Sequence, residues 1–307
     1  MSLTQLRYFV AVAEELNFSR AAERLHIAQP PLSQQIQALE AELGVKLFER
    51  TKRRVMLTVP GEVFLAKVRQ VLQQVDQAVE AAQRANRGEV GRLVVGFNSS
   101  ATYSVLPKIL RVFRDRCADV ELDLHELTTT QQITRLHQSQ IDVGILYLPI
   151  ESDVLNAIAI LQETLVVAIP ENHALATESA VSIKSLAREQ FIIPPHHLGG
   201  GLYSQIVHFF QQVDFVPNVV QEAVQLQTAI SLVAGGVGVA LVPGSLQNLQ
   251  RSGVVYKPLE EPTPEVAIAV AWRHHDSSPT LQKFIAAVQE IYGGEVSKQG
   301  RRGTINL

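Results

Sequence analysis

Residues 17–58 read NFSRAAERLHIAQPPLSQQIQALEAELGVKLFERTKRRVMLT. Within this run Leu32, Ile36, Leu39 and Leu43 recur at spacings of 4, 3 and 4, which predicts one buried face of a helix. Gln29-Pro30-Pro31 opens that helix, since a proline in the first turn lacks only an N–H that has no helical partner. Gly44 ends it. A shorter helix precedes it, with Ala21, Ala22 and Leu25 facing inward and Ser19 expected as its N-cap. His26-Ile27-Ala28 separates the two. After Gly44, LFERTKRRVMLT predicts two short strands around a basic turn. Upstream, Leu3, Leu6, Phe9, Val10 and Ala13 form the apolar stripe of a first helix.

With the Leu/Ile face turned inward, Gln29, Pro30, Ser33, Gln34 and Gln37 lie on the outer side of the third helix or its flanks. Amide and hydroxyl groups there can bond base edges and phosphates, and Pro30-Pro31 can touch a thymine methyl. The basic turn, with Arg50, Lys52, Arg53 and Arg54, suits phosphates or a narrow minor groove. A plain three-helix bundle with a solvated charge run would explain any one of these features. Their occurrence in this order favours a reader of DNA.

From Thr58 to Gly88 the helix formers Ala, Glu, Gln, Leu and Arg dominate. Phe64, Val68, Val71, Val75, Ala78, Ala82 and Ala85 alternate at spacings of 4 and 3, an a/d register that predicts a seam with another helix. A long amphipathic helix packed on its own domain is the simpler reading. Three repeats with a Gln- and charge-rich outer face favour a dimer helix.

Beyond Gly88 and Gly91 the period changes. LVVGF, VELDL, VGIL, LVVAIP, FIIP, VALVP and AIAVAW are short β-rich runs. They alternate with helical stretches at 106–113, 203–213 and 225–234, which predicts a mostly parallel sheet with helices on its faces. Two such sets are expected. The resulting division is a winged helix-turn-helix at 1–58 (the helix-turn-helix itself at 18–37), a linker and dimerisation helix at 59–88, and an α/β effector unit at 89–294. The first lobe of that unit covers about 92–161 plus a C-terminal return segment and the second about 162–265. The tail at 295–307 is polar and is expected to be flexible.

Composition fits a globular chain of 307 residues that is 46% hydrophobic and 19% charged. No apolar run approaches the roughly 18 residues of a membrane span. The opening MSLTQLRYFV lacks a basic region ahead of an apolar stretch, so a cytoplasmic location without a secretory leader is expected. Cys117 stands alone, excluding an internal disulfide or a multi-cysteine metal cage. The net charge of −3 is uneven. Residues 1–92 carry 13 Lys/Arg against 10 Asp/Glu, and the remainder 14 against 20, consistent with different partners for the two ends.

The run from Asn17 to Thr58 resembles the DNA-binding motif of the LysR-type transcriptional regulators, with QPPLSQQIQALE and LFER as its specific segments. The layout of the whole chain is similar to that family: winged helix-turn-helix, linker helix, then a two-lobed domain like periplasmic binding proteins. The N-terminal segment is most similar to regulators of aromatic and chloroaromatic catabolism that sense muconate-like dicarboxylates. Where the family usually places a serine before the QP pair, this chain has Ala28.

The resemblance implies DNA contacts at Gln29, Pro30, Pro31, Ser33 and Gln34, with Arg50, Lys52, Arg53 and Arg54 from the wing. It implies an effector cleft walled by the Asn98–Thr102 loop, by Thr128-Thr129-Thr130 and by the 199–203 turn. The effector residues expected from those walls are Ser99, Ser100, Thr102, Thr128, Thr129, Leu202 and Tyr203. The implied partners are double-stranded DNA with two-fold-related half-sites, a small anionic effector and further copies of the chain as dimer or tetramer, with RNA polymerase as a further candidate. No cofactor, metal or membrane partner is expected.

Each proposed wall follows a strand and precedes a helix, where free N–H groups and the helix dipole suit a carboxylate or phosphate. Ordinary Ser/Thr capping explains any one of them alone. Neither the Ser99 nor the Thr128 loop contains a basic residue; His196 and His197 lie near the third. AGGVGVALVP, with Gly235, Gly236 and Gly238, follows a helix and precedes a strand, the wrong order for a dinucleotide loop, and reads as structural. An enzyme is the main alternative, but G-x-S-x-G, a phosphate loop with its lysine and metal-spaced histidines are absent from the sequence. A free-standing solute-binding protein would need export.

Overall fold

The computed structural model describes residues 1–51, 54–196 and 201–299, with side chains to residue 293. The chain divides into two compact units, Met1–Arg84 and Ala85 onward.

The first unit opens with α1 (Leu3–Glu15), held by a reciprocal capping box between Ser2 and Gln5. Then follow α2 (Phe18–Arg24), α3 (Gln29–Leu43), the antiparallel strands β1 (Phe48–Arg50) and β2 (Val55–Leu57), and α4 (Val59–Asn86). Asn17, not Ser19, caps α2: its Oδ1 accepts from the backbone N–H groups of Ser19 and Arg20. Ala28 caps α3 with no side-chain bond, and two prolines fill the first turn instead. Phe9, Ala21, Leu32, Ile36, Leu39 and Leu47 are fully buried. Burial contributes about 1.5–3 kcal/mol for each large apolar side chain. Leu3, expected in this core, is 44% exposed.

Thr58 ties the wing to α4 by donating from Oγ1 to the Lys46 carbonyl at 2.7 Å and accepting from Gly61 N–H. Gly61 is required there, because a Cβ would lie 2.2 Å from the Leu47 carbonyl oxygen. The heptad row on α4 is not uniform. Val68 is 2% exposed and, with Phe64, packs into the unit's own core, so these two positions do not face outward as the seam reading expects. Val71, Ala78 and Ala82 are exposed and Val75 half-buried.

The second unit contains β3 (Val90–Phe97), α5 (Leu106–Arg116), β4 (Asp119–Glu126), α6 (Thr129–His137), β5 (Val143–Tyr147) and β6 (Leu155–Pro170). It continues through β7 (Gln190–Ile193), α7 (Gly201–Gln212), β8 (Asn218–Glu222), α8 (Leu226–Ala234), β9 (Ala240–Pro243), β10 (Val254–Pro258), β11 (Glu265–Arg273) and α9 (Pro279–Gln299). The last helix passes five residues beyond 294, where the effector unit was expected to end; residues 300–307 lie outside the described residues.

Two five-stranded sheets share β6. The first lobe runs β4-β3-β5-β11-β6, with β3 parallel to both β4 and β5. The second runs β8-β7-β9-β6-β10, with β7 parallel to β8 and bridged to β9 through Phe191 and Val239. Each lobe therefore repeats a strand–helix–strand–helix–strand unit with the first strand in the middle. The sheets are mixed rather than mostly parallel: β6 runs from the first lobe into the second, and β11, β9 and β10 all pair with it antiparallel. Fully buried strands read as continuous apolar runs whose direction the composition does not encode. The helix-to-strand glycines are structural, with Gly236 at φ +75° and a Cβ at Gly238 falling 2.3 Å from the Gln190 carbonyl oxygen.

Candidate functional site

In the first unit α3 buries Leu32, Ile36 and Leu39, which leaves Gln29, Pro30, Pro31, Gln34 and Gln37 exposed on one side and Ser33 half-buried at its edge. Arg54 is exposed at the wing turn, where its backbone N–H bonds to Thr51 Oγ1. Lys52 and Arg53 lie outside the described residues.

The structure puts Arg50 to a different use from the free phosphate contact expected of it. Its Nη2 lies 3.2 Å from Glu40 Oε2, its Nη1 donates to Ser33 Oγ at 3.3 Å, and the guanidinium sits 4.6 Å from the centre of the Phe18 ring. Glu40 is only 2% exposed, and its Oε1 accepts from the backbone N–H groups of Leu47 and Phe48 at 2.9 and 3.1 Å. A buried carboxylate thus fixes the start of the wing with one oxygen and, through Arg50, orients Ser33 of α3 with the other. Sequence reasoning missed Glu40. The available signal was an acidic residue four positions after Ile36, on a face that otherwise reads as apolar.

In the second unit a cleft enclosing about 540 Å³ of empty space, open mouth included, lies between the lobes. The first lobe lines it with Asn98, Ser99, Leu127, Thr128, Thr129 and Tyr147, and the second with Pro194, Leu202, Tyr203, Val224, Gln225 and Leu226. These residues stand at the C-terminal ends of β3, β4, β5, β7 and β8 or at the starts of α6, α7 and α8. Crevices at strand ends, facing helix N-termini, are where open α/β sheets bind ligands. Ser99, Thr128, Thr129, Leu202 and Tyr203 are therefore brought together.

Ser100 and Thr102 are not in that lining. Ser100 is fully buried, donates to Asn98 Oδ1 at 2.9 Å and accepts from the Tyr147 hydroxyl at 2.5 Å. Thr102 Oγ1 donates to the Ser99 carbonyl. Both serve the short 3₁₀ turn (Ser99–Tyr103) that follows β3. Burial pushes the Tyr147 phenol far above its ordinary range, so it remains a neutral donor. Thr128 caps α6 in a capping box with Gln131, and Thr129 Oγ1 accepts from Tyr147 N–H at 3.3 Å.

Sequence reasoning did not pick out Tyr147, Pro194, Gln225 or Leu226, and it took Asn98 for part of the wall without a contact of its own. For Tyr147 and Pro194 the signal is position, at or just past the last residue of a β-rich run, whereas Gln225 and Leu226 stand at the start of α8, after a strand that carries no such run. Gly199 and Gly200 of the third wall, and His197 near it, lie outside the described residues. Two further ties join the lobes near the cleft, Asn248 Nδ2 to the Tyr103 carbonyl at 2.7 Å and Gln227 Nε2 to Glu126 Oε1 at 3.4 Å.

Comparison with known proteins identifies both parts of the chain. Residues 3–62 match the model of the bacterial regulatory helix-turn-helix proteins of the lysR family, and residues 86–292 match that of the LysR substrate binding domain. The chain is 40% identical over 285 residues to the HTH-type transcriptional regulator AlsR of Bacillus subtilis (strain 168), covering 93% of this chain and 94% of that protein. The crystal structure of CbnR, a LysR family transcriptional regulator, superposes with a TM-score of 0.84 at 28% identity, over 94% of this chain and all of that one. Full-length CbnR complexed with its target DNA gives 0.81 at 27% identity, over 95% of this chain and all of that one. The chain belongs to the LysR family of DNA-binding transcriptional regulators, with an N-terminal helix-turn-helix domain and a two-lobed effector-binding domain.

Proposed function

We propose that this regulator reads its operator with the exposed face of α3, Gln29, Pro30, Pro31, Ser33 and Gln34, while Arg54 and its wing neighbours hold phosphates. A small anionic effector bridges the two lobes at Ser99, Thr128, Thr129, Leu202 and Tyr203. The outward part of the α4 heptad row, Val71, Val75, Ala78 and Ala82, pairs two copies so that two recognition helices meet half-sites about one helical turn apart, or a multiple of it. The cytoplasm is the fitting location for such a protein. Among the described residues no helix is long and apolar enough to cross a membrane.

The observation that carries the effector reading is convergence. Five strand ends and three helix starts, drawn from both lobes, meet at one cleft. A ligand held by both walls favours one lobe arrangement over another, which is the condition for regulation.

The test begins by selecting operator DNA from a random library with the full chain. Footprints are then compared with and without the small carboxylate that most raises the melting temperature. A changed footprint or affinity supports the reading. A best ligand that is cationic, or a footprint indifferent to every stabilising ligand, counts against it.

A further inference from the structure

We propose that Asn98 is the residue that receives the effector's polar end, and that the effector is a short monocarboxylate with an apolar body. This rests on the cleft reading above and goes further by naming the receiving atom and the ligand class.

Asn98 stands at the C-terminal end of β3 and is 7% exposed. Its Oδ1 accepts from Ala101 N–H at 3.1 Å and from Ser100 Oγ at 2.9 Å. A backbone N–H can only donate, so the atom facing Ala101 must be oxygen, and the amide cannot be turned over. The NH₂ group is thereby fixed on the opposite side. Nδ2 is buried and has no acceptor among the described residues. Buried donors are very seldom left so. Asn98 lines the cleft together with Ser99 and Thr128, whose hydroxyls can donate as its amide does. Nδ2 is shut from solvent with the lobes as they stand, so an acceptor can reach it only when the lobes part.

The opposite wall has another character. Pro194, Leu202, Val224 and Leu226 make most of it apolar, Tyr203 and Gln225 add uncharged polar groups, and no Arg, Lys or His is among the described lining residues. α6, α7 and α8, of 9, 12 and 9 residues, all begin at the cleft and supply positive potential without a charged side chain. The first wall thus holds a buried donor left without a partner, and the second is mainly hydrocarbon. A second carboxylate would meet no cationic side chain among the described lining residues, and burying a charge without such a partner is costly. That separates this chain's ligand from the dicarboxylates implied by its resemblance to catabolic regulators.

The experiment uses full-length protein, with butyrate and benzoate as probes and butylamine and succinate as contrasts, read by melting temperature and calorimetry. Asn98→Asp keeps an oxygen facing Ala101 and Ser100 but replaces the donor with a second oxygen. It is expected to weaken monocarboxylate binding roughly ten- to a hundredfold. In wild type the side-chain amide resonances of Asn98 should shift on titration with the probe, a change that a purely structural role would not produce. If Asn98→Asp fails to fold, that shift alone decides.

Unchanged affinity in Asn98→Asp, an unmoved amide resonance, or no binding by either monocarboxylate overturns the proposal, as does tighter binding of succinate. Leu202→Trp, which fills the cleft, separates the two levels. If it abolishes binding while Asn98→Asp does not, the cleft stands and Asn98 is not the receiver. If neither variant alters binding, the cleft reading itself falls.

Discussion

Replacing Glu40 by Ala should loosen the wing from the recognition helix and destabilise the first unit by several kcal/mol. Its Oε1 is the acceptor for two backbone N–H groups, those of Leu47 and Phe48. Leaving a buried donor unsatisfied costs about 1–3 kcal/mol each, so the pair alone sets a loss of about 2–6 kcal/mol. Arg50 also loses its partner and is free to leave Ser33. Lys46 adds little to this sum, because its exposed ammonium group lies 3.4 Å from the carboxylate and such pairs contribute about 0–1 kcal/mol. Glu40→Gln keeps an acceptor of the same shape and should cost about half as much. Trp272, the one tryptophan, lies on β11, so its fluorescence follows only the second unit. Urea unfolding followed by far-UV circular dichroism, with hydrogen exchange over residues 44–50, is the suitable assay. With a slope near 1 kcal/mol/M, a loss of ~3 kcal/mol moves the first midpoint by about 3 M. Wild-type protection at Leu47 and Phe48 in Glu40→Ala, with an unmoved midpoint, would show that the carboxylate does not hold the wing.

The other expectations concern the remaining parts of the chain. Gln29→Ala should reduce discrimination between operator and mismatched DNA by about 1–3 kcal/mol, and an unchanged footprint in position and affinity would remove α3 as the reader. Arg54→Ala should weaken binding to all sequences alike and lower the slope of log K against log salt by roughly 0.9, as titrations at several salt concentrations would show. Val75→Asp places a charge on the outward heptad row and should dissociate the dimer; sedimentation showing a monomeric wild type at micromolar concentration would refute the seam. Glu163, on β6 where it crosses between lobes, accepts from Ser245 N and Oγ, yet burial raises its pKa above the ordinary carboxylate value. Its contribution to stability is therefore fully present below the unfolded carboxylate pKa and is lost as pH rises through the folded one. Glu163→Gln should flatten that part of the Trp272 melting-temperature profile, and an identical profile would exclude Glu163 as its source.

Much of the first unit was legible because its signals are local: a prolyl start, a glycine stop, and leucines at helical spacing. The error at α2 arose where two good capping residues stand two apart, since Asn17 and Ser19 both fit and only the geometry shows Asn17 taking two N–H groups. In the second unit β8 went unread because all five of its residues are exposed, so it carries no inside–outside alternation. β10 and the first half of β6 are half-buried along most of their length and give a similarly weak pattern. The cleft was half legible. Its hydroxyl residues follow β-rich runs and stand out, whereas Pro194 and Leu226 look like core until the two lobes bring them face to face. Ser100 shows the converse, a hydroxyl in the right loop that is consumed inside the wall.

The single strand shared by both lobes has a mechanical consequence. β6 pairs with β11 up to Thr164 opposite Glu265, and from Leu165 onward with β9 and β10. The chain crosses between lobes at that point and again where β10 leads into β11, so the two crossings lie side by side. Sliding one lobe over the other would tear ladder hydrogen bonds on both sides of the crossing, whereas twisting about it strains only a few backbone dihedrals. The crossing is thus an axle, and the cleft residues stand out from it as lever arms. A molecule of a few heavy atoms seated between those arms would exert torque about the axle, and a sub-ångström change in the cleft would become a larger displacement at the far rims of the lobes.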